Sequence, residues 1–371
     1  MVGLTGDVGG IWMIRPSTGW SLPWPEPNLA TASTVGLVCV VIAIALSTGE
    51  MYHHLTHYAR PEFQLHVVRI LGMVPVYSLT AWISLVSSDA RDALLMDVIR
   101  DGYEAYVIYN FLALLIQYGG GDRQLVYMLE MKPRAQHLWP LQGIIPPVKL
   151  GSAFIFWVRA SCLQFVFVKP LGAFLLYYFY GTGKTEERLQ IIVTILLNMS
   201  VSVALYGLML FYRATKDILK PFKPFLKFVV VKMVIFFSFW QGVILSAMVR
   251  LGILRDVVGY TAKEQATGLQ DLLICAEMVV AAICHIFIFS WRDYDPDCAS
   301  DLSPQSNTHR NFISKSDWEI GRPLLRNFGD IFDIRDVLAD AKDTLYGTGF
   351  ELELRESEPF IPERLRVLDE E

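Results

Sequence analysis

Charged side chains stand inside apolar segments of this chain, and the densest group lies between residues 97 and 104. Asp97, Arg100, Asp101 and Glu104 are spaced at i, i+3, i+4 and i+7, which places them on one stripe of a helix. A charge deep in hydrocarbon costs about 2.5 to 3.5 kcal/mol on insertion scales, so it normally faces a bundle interior or a watery cavity. Arg100 has Glu104 one turn after it and Asp97 one turn before it. The stripe is therefore either a self-neutralised structural network or part of a site.

A second acid, Glu277, stands near the middle of the apolar segment 268–290, seven residues after Gln270. No basic residue lies one turn away in this segment, so Glu277 must be neutral, hydrated or paired with another helix. The basic residues of other apolar segments that could pair with it are Lys232, Arg159 and Lys169. Two interpretations stay open, a structural pair between helices and a site for a solute or a proton.

The segment 152–176 is interrupted by Lys169-Pro170. Proline removes a backbone hydrogen bond, which a membrane helix tolerates where neighbours or water supply a replacement. The pattern is typical of a hinge or broken helix, or of a simply kinked packing helix. Gln164 adds a polar group that could bind a solute.

Two motifs that suggest a metal or a nucleotide do not lead to a catalytic site. The first apolar segment ends in four possible metal ligands at helical spacing. A metal site in a bundle needs ligands from several helices, and the last apolar segment offers only His285. The members of this group are Glu50, His53, His54 and His57. GTGKT at 181–185 resembles a phosphate-binding loop, yet Tyr178 stands where the first glycine is required. We expect no catalytic residue, no metal and no cofactor, and therefore no enzyme.

The elements that must position these residues are membrane helices. The chain is 53% apolar and only 19% charged, against roughly 25% charged in soluble domains. A crossing helix needs about 20 mainly apolar residues. Seven such windows occur, at 33–52, 67–88, 97–118, 152–176, 189–212, 226–249 and 268–290. The expected fold is an all-α membrane protein with a bundle of seven transmembrane helices.

The lysine-rich run KDILKPFKPFLK at 216–227 favours a cytoplasmic position for its loop. This places the N-terminus outside and the C-terminus in the cytoplasm. Three regions follow: an extracytoplasmic tail at 1–31, the helical domain at 32–294 and a cytoplasmic tail at 295–371. Apolar residues at helical spacing predict an amphipathic helix near 328–345 in the last region, docked on the bundle or lying at the membrane surface.

Five blocks of the sequence carry a resemblance to a known family, and they span residues 33–294. The most distinctive is YEAYVIYNFLALLIQYGGG at 103–121. The others are HLTHYARPEFQLHVVRILGMVPVYSLTAWISL at 54–85, CLQFVFVKPLGAF at 162–174, KPFLKFVVVKMVIFFSFWQGVILSAM at 223–248 and GLQDLLICAEMVVAAICHIFIFSWRDY at 268–294. In these blocks the chain resembles the superfamily of the organic solute transporter alpha subunit and transmembrane protein 184. It is closer to the transmembrane protein 184 branch.

The resemblance implies a facilitative carrier of small amphipathic organic solutes, steroid-like or lipid, that works without ATP. It also implies a single-span beta-type subunit or a homo-oligomer as partner, and membrane lipid rather than nucleic acid as surroundings. An integral, multi-pass position in the plasma membrane or an endomembrane is expected. Together with the residue pattern, it predicts these solute-binding residues: Tyr103, Glu104, Tyr109, Asn110, Gln164, Lys169, Lys232, Trp240, Gln241, Gln270 and Glu277. The alternative is a seven-helix receptor or a signalling or trafficking scaffold.

Overall fold

The computed structural model describes residues 29–87, 89–138, 142–144, 146–254 and 261–294, together with 335, 337–339 and 342. Nine α-helices lie between residues 29 and 294, and the described residues contain no strand, although an isolated bridge joins Ala135 and Val148. They are α1 (Leu29–Thr56), α2 (Pro61–Leu71), α3 (Met73–Val86), α4 (Ala90–Tyr118), α5 (Gly121–Glu130), α6 (Ser152–Tyr178), α7 (Lys184–Leu219), α8 (Pro224–Arg250) and α9 (Ala262–Ile288).

Five stretches within the described residues are long and apolar enough to cross a membrane. They are Thr31–Thr56, Pro61–Val86, Ser152–Tyr178, Arg188–Leu219 and Ala262–Tyr294. The chain is therefore a nearly all-helical, integral membrane protein that crosses the bilayer several times. The prediction of a helical membrane bundle is confirmed.

The helices form a bundle with two ends. The upper end holds the start of α1 and the turns near residues 87–89, 179–183 and 251–254, and the lower end holds those near 57–60, 119–120, 220–223 and 289–294. In the interior, α4 packs against α2, α3 and α6, while α9 packs against α1, α3 and α8. These two helices therefore form the centre on which the others rest.

The second apolar window is broken into α2 and α3 at Gly72, where the sequence analysis expected one continuous helix. Pro75 has no N–H to donate to the Leu71 carbonyl one turn before it. The Ser47 hydroxyl of α1 donates to that carbonyl instead, at 3.0 Å. The Tyr103 hydroxyl of α4 donates to the neighbouring Arg69 carbonyl at 2.7 Å. Side chains from two other helices thus stabilise the break.

Helix α6 continues through Pro170 from Ser152 to Tyr178, so Lys169-Pro170 does not divide it. The tail at 1–31 and the helix near 328–345 lie largely outside the described residues. Of the latter, the described positions are helical, and Val337 is buried against Tyr109 and Leu163. Docking of that segment on the bundle stays a prediction.

Candidate functional site

An ion pair between Glu104 and Lys169 lies at the centre of the bundle. Glu104 occupies the midpoint of α4 and is only 6% exposed. Its Oε2 accepts hydrogen bonds from Lys169 Nζ of α6 at 2.5 Å and from the Tyr77 hydroxyl of α3 at 3.2 Å. Lys169 also pairs with Asp101 Oδ1 at 3.2 Å. Because a buried charge needs both a counter-charge and hydrogen bonds, this cluster fixes α3, α4 and α6 to one another.

Arg100 does not neutralise Glu104, which corrects the interpretation of a network within one helix. Arg100 donates to Asp97 and forms an ion pair with Asp271 Oδ1 of α9 at 3.8 Å. Residues four apart on a helix are offset by about 40° around its axis. Here Arg100 reaches α9, whereas Glu104 reaches α6. The acidic stripe is therefore divided between two helix interfaces.

Lys232 of α8 lies near the central pair without joining it. It is close enough to interact electrostatically with both Glu104 and Lys169. Among the described residues it forms no ion pair of its own. Three of the predicted charged residues are thus brought together, and Lys232 is the cation whose charge is not taken up by a direct contact.

Glu277 is separate from this cluster and contacts none of the basic residues that the sequence offered as partners. Gln241 of α8 donates through Nε2 to Glu277 Oε1. Lys169 is engaged by Glu104, and Arg159 pairs with Asp122 at 2.6 Å. Glu277 therefore belongs to the interface between α8 and α9.

Gln270 and Trp240 lie beside this interface on different surfaces. A Cβ added at Gly242 would lie 3.3 Å from Gln270 Nε2, so the Gln270 amide packs closely on the α8 backbone. Trp240 is 47% exposed and its ring lies edge-on to Phe236. Gln270 thus lies between helices, whereas much of the Trp240 ring remains on the outer surface of α8.

The predicted residues in the lower half of α4, Tyr109 and Asn110, face different helices and neither joins the central pair. Asn110 Oδ1 accepts from His66 Nδ1 at 3.0 Å and from Arg69 Nη1 at 3.3 Å. Arg69 is 2% exposed and its guanidinium lies 5.9 Å from the Tyr106 ring centroid. Tyr109 is buried beside Leu163. Asn110 therefore joins a second buried polar cluster between α2 and α4.

Gln164 joins α6 to α7 through both ends of its amide. Its Nε2 donates to the Ser161 carbonyl at 2.8 Å and to the Ser200 carbonyl at 2.9 Å. The Ser200 hydroxyl donates to Gln164 Oε1 at 2.6 Å. Both polar atoms of the Gln164 amide are therefore hydrogen-bonded, and they hold α6 against α7.

The sequence analysis did not single out Tyr77, Arg69 or His66 as site residues. Arg69 was visible as a charge inside the second apolar window, three residues after His66. A charge in that position has the same physical meaning as Glu104 in the third window. The sequence does not mark Tyr77 in this way, because tyrosines in apolar helices commonly pack in the core.

A different cluster closes the lower end. Lys227 of α8 is 4% exposed; its Nζ donates to the Tyr118 hydroxyl at 3.3 Å and pairs with Asp293 at 3.6 Å. Its amine also lies 5.4 to 5.8 Å from the ring centroids of Tyr118, Phe289 and Tyr294. The Tyr118 and Tyr294 hydroxyls share a hydrogen bond of 2.6 Å. Charge and aromatic faces together hold α4, α8 and the end of α9 in contact.

The histidines at the end of α1 belong to the same end of the bundle. His54 Nε2 donates to the Phe289 carbonyl at 2.7 Å and lies 3.6 Å from Glu50. The His57 ring stacks on Trp291 at a centroid distance of 4.2 Å. Within the described ranges, no three side chains of the types that bind metals converge on one point. The cluster packs α1 against the segment that follows α9.

An apolar crevice lies between α4, α7 and α8, one helical turn below Lys232. Its volume is ≈ 10 Å³, which is room for about one water molecule. The residues that line it are Phe111, Leu115, Leu208, Met209, Tyr212, Pro224, Phe225 and Phe228. The apolar crevice thus begins one helical turn from Lys232 along α8.

Comparison with known proteins agrees with the sequence resemblance. No solved structure matches the chain. The family model for the organic solute transporter Ostalpha matches residues 32–294, which contain all nine helices but the first three residues of α1. This confirms the superfamily, while placement in the transmembrane protein 184 branch stays a prediction. The chain belongs to the organic solute transporter Ostalpha family, a family of membrane solute transporters.

Proposed function

We propose that this protein is a facilitative carrier with seven spans, its N-terminus outside and its C-terminus in the cytoplasm. Five spans are the apolar stretches described above, with α2 and α3 counted as one broken span. The other two are α4 and α8, of 29 and 27 residues. At 1.5 Å per residue each is longer than the roughly 30 Å hydrocarbon core. Both helices carry charged residues, which are Glu104 and its neighbours on α4 and Lys227 and Lys232 on α8.

The proposed class of solute follows from Lys232. An ammonium without an ion-pair partner beside an apolar crevice suits a molecule with one anionic end and an apolar body. Lys169 is less suited to this role because Glu104 and Asp101 already engage it. The proposed solute is therefore a small amphipathic organic anion, steroid-like or lipid, with its anionic group at Lys232 and its body against Phe111, Tyr212 and Phe228.

The structure represents a closed form in this proposal. The crevice of ≈ 10 Å³ is far below the roughly 300 to 1,000 Å³ of typical ligand pockets. A solute can enter only if α8 moves away from α4 and α7. No ATP is needed, since the solute gradient drives net movement. A single-span beta-type subunit or a second copy of the chain would bind on the lipid-facing side.

Flux of a labelled steroid sulfate into liposomes containing the purified protein tests the proposal. The wild type should exceed empty liposomes. Lys232→Met should lower flux at least tenfold, and Lys232→Arg should retain most of it, because only the charge is needed. Lys216→Met, which removes an exposed lysine of α7, is the matched control and should behave as the wild type.

Two results would contradict the proposal. Wild-type flux equal to that of empty liposomes for steroid sulfates, fatty acids and phospholipids would remove the carrier function. Unchanged flux in Lys232→Met would leave a carrier but would refute the assigned anion site.

A further inference from the structure

The contact between Glu277 and Gln241 leaves two buried oxygen atoms without a hydrogen bond. Gln241 Nε2 donates to Glu277 Oε1, which joins α8 to α9. Glu277 Oε2 and Gln241 Oε1 are both shielded from solvent and have no hydrogen-bond partner. Both of these atoms are acceptors, so they cannot satisfy each other as they stand. Two orphaned acceptors on groups already in contact require an explanation.

No positive charge compensates Glu277 in the described part of the chain. Gln241 is the one side chain that interacts with its carboxyl group. The helices that pack against α9 are α1, α3 and α8, and within the described residues none of their charged groups forms an ion pair with Glu277. On α8, Lys227 pairs with Asp293 and Lys232 lies near Glu104. On α3, Tyr77 donates to Glu104, and on α1, Glu50 lies beside His54. On α9 itself, Asp271 contacts Ser84 and Arg100.

The remaining titratable groups on these helices do not pair with Glu277 either. They are Cys39, Tyr52, His53, Arg250, Lys263, Glu264, Cys275, Cys284 and His285. An ionised carboxylate here would keep one shielded oxygen without a hydrogen bond, an arrangement that burial penalises.

We propose that Glu277 is a proton-binding site at the α8–α9 interface, and that its carboxyl group is protonated in the folded protein at neutral pH. A proton on Oε2 turns this atom into an O–H donor, and the acceptor we assign to it is Gln241 Oε1, on the amide that already contacts this acid. The acid and the amide then share two hydrogen bonds, one in each direction. One proton satisfies both orphaned atoms and removes the buried charge.

A metal cation fits this place less well. Two oxygen atoms are available, whereas Ca²⁺ takes 6 to 8 oxygen ligands and Mg²⁺ requires an octahedral set. This proton site does not depend on the proposed transport function, since it follows from the contact between two helices.

The test is the apparent Tm of the purified protein in detergent between about pH 5.5 and about pH 9.5, measured for the wild type and three variants. Glu277→Gln imitates the protonated acid and can form the same two hydrogen bonds with Gln241. Its advantage in Tm over the wild type should grow as the pH rises, because the unfolded wild type already loses this proton above about pH 4.3, and should reach about 5 °C or more at high pH. Gln241→Glu should lose stability more steeply with rising pH. Glu130→Gln, at an exposed site on α5, should follow the wild type.

Infrared spectra of the same samples give an independent measurement. The wild type at neutral pH should show a carbonyl band of a protonated carboxylic acid that shifts in D₂O and is lost in Glu277→Gln. The proposal is overturned if the difference in Tm between Glu277→Gln and the wild type is constant over the pH range. It is also overturned if that band survives in Glu277→Gln, or if Na⁺ stabilises the wild type but not Glu277→Gln.

Discussion

Replacement of Lys169 by Met should destabilise the bundle strongly, because it leaves Glu104 as a buried anion. Glu104 is 6% exposed and would keep only the Tyr77 hydroxyl as a donor. Removing one partner of a buried ion pair typically costs about 3 to 5 kcal/mol. For a chain of this size that corresponds to a fall in Tm of about 4 to 6 °C. Lys232 can approach Glu104 and offset part of this loss, which favours the lower end of the range.

Replacement of Glu104, the other partner of the ion pair, should lower the free energy of unfolding by less. The difference between the two single variants is the sharper test. Glu104→Gln leaves Lys169 with Asp101, which remains 3.2 Å away. We expect a loss of about 1 to 3 kcal/mol, the cost of an imperfectly satisfied buried group. The double variant removes both charges, and Asp101, whose side chain is 34% exposed, can be hydrated. It should therefore be more stable than Lys169→Met alone.

The measurement is thermal unfolding of the detergent-solubilised protein. Unfolding is monitored by size-exclusion chromatography of a fluorescent fusion. Lys216→Met controls for the loss of a lysine as such. The reasoning is refuted if Lys169→Met lies within about 2 °C of the wild type. It is equally refuted if the double variant is no more stable than Lys169→Met, because the two side chains would then not be coupled.

Two further predictions concern helix contacts. Gly72→Ala should lower Tm by about 1 to 4 °C, because the new Cβ would collide with the Tyr103 hydroxyl. Tyr103→Phe should relieve part of this loss in the double variant, and equal Tm values for Gly72→Ala and the wild type would contradict the prediction. Ser200→Ala should lower the free energy of unfolding by about 1 to 2 kcal/mol, because Gln164 Oε1 loses its donor. Ser202→Ala should leave it nearly unchanged in the same assay, because the Ser202 hydroxyl donates to Asn198 within α7. Equal losses in the two serine variants would show that the contact between helices contributes nothing.

The positions of the helices could be predicted from the sequence because twenty-residue apolar windows leave little choice. Each of the seven windows lies on a described helix or ends within two residues of one. The start of α4 was placed too late, at residue 97. Asp89 accepts from the Arg91 N–H and begins this helix at Ala90, in a polar stretch that an apolar window omits.

The partners of the charged residues could not be predicted in the same way. Spacing along a helix suggested Arg100 for Glu104, but the observed partner, Lys169, is 65 residues away. The choice depends on how α4 and α6 are rotated toward each other, which spacing within one helix does not contain. Spacing therefore identified charged residues inside the helices but not the partner of Glu104, and the assignment of these residues to a solute site stays a prediction.

The distribution of polar contacts indicates which helix can move. Helices α3, α4 and α6 are joined at their centre by Tyr77, Glu104 and Lys169, so separating them would expose a buried charge. Helix α8 lies beside this centre with Lys232 not ion-paired, and its lower end is held by Lys227. A helix fixed at one end and loosely held in the middle can swing about the fixed end at small energetic cost. We infer that the upper part of α8, with Lys232, swings in this way about Lys227, whereas Pro224, Phe225 and Phe228 beside Lys227 stay at the wall of the crevice.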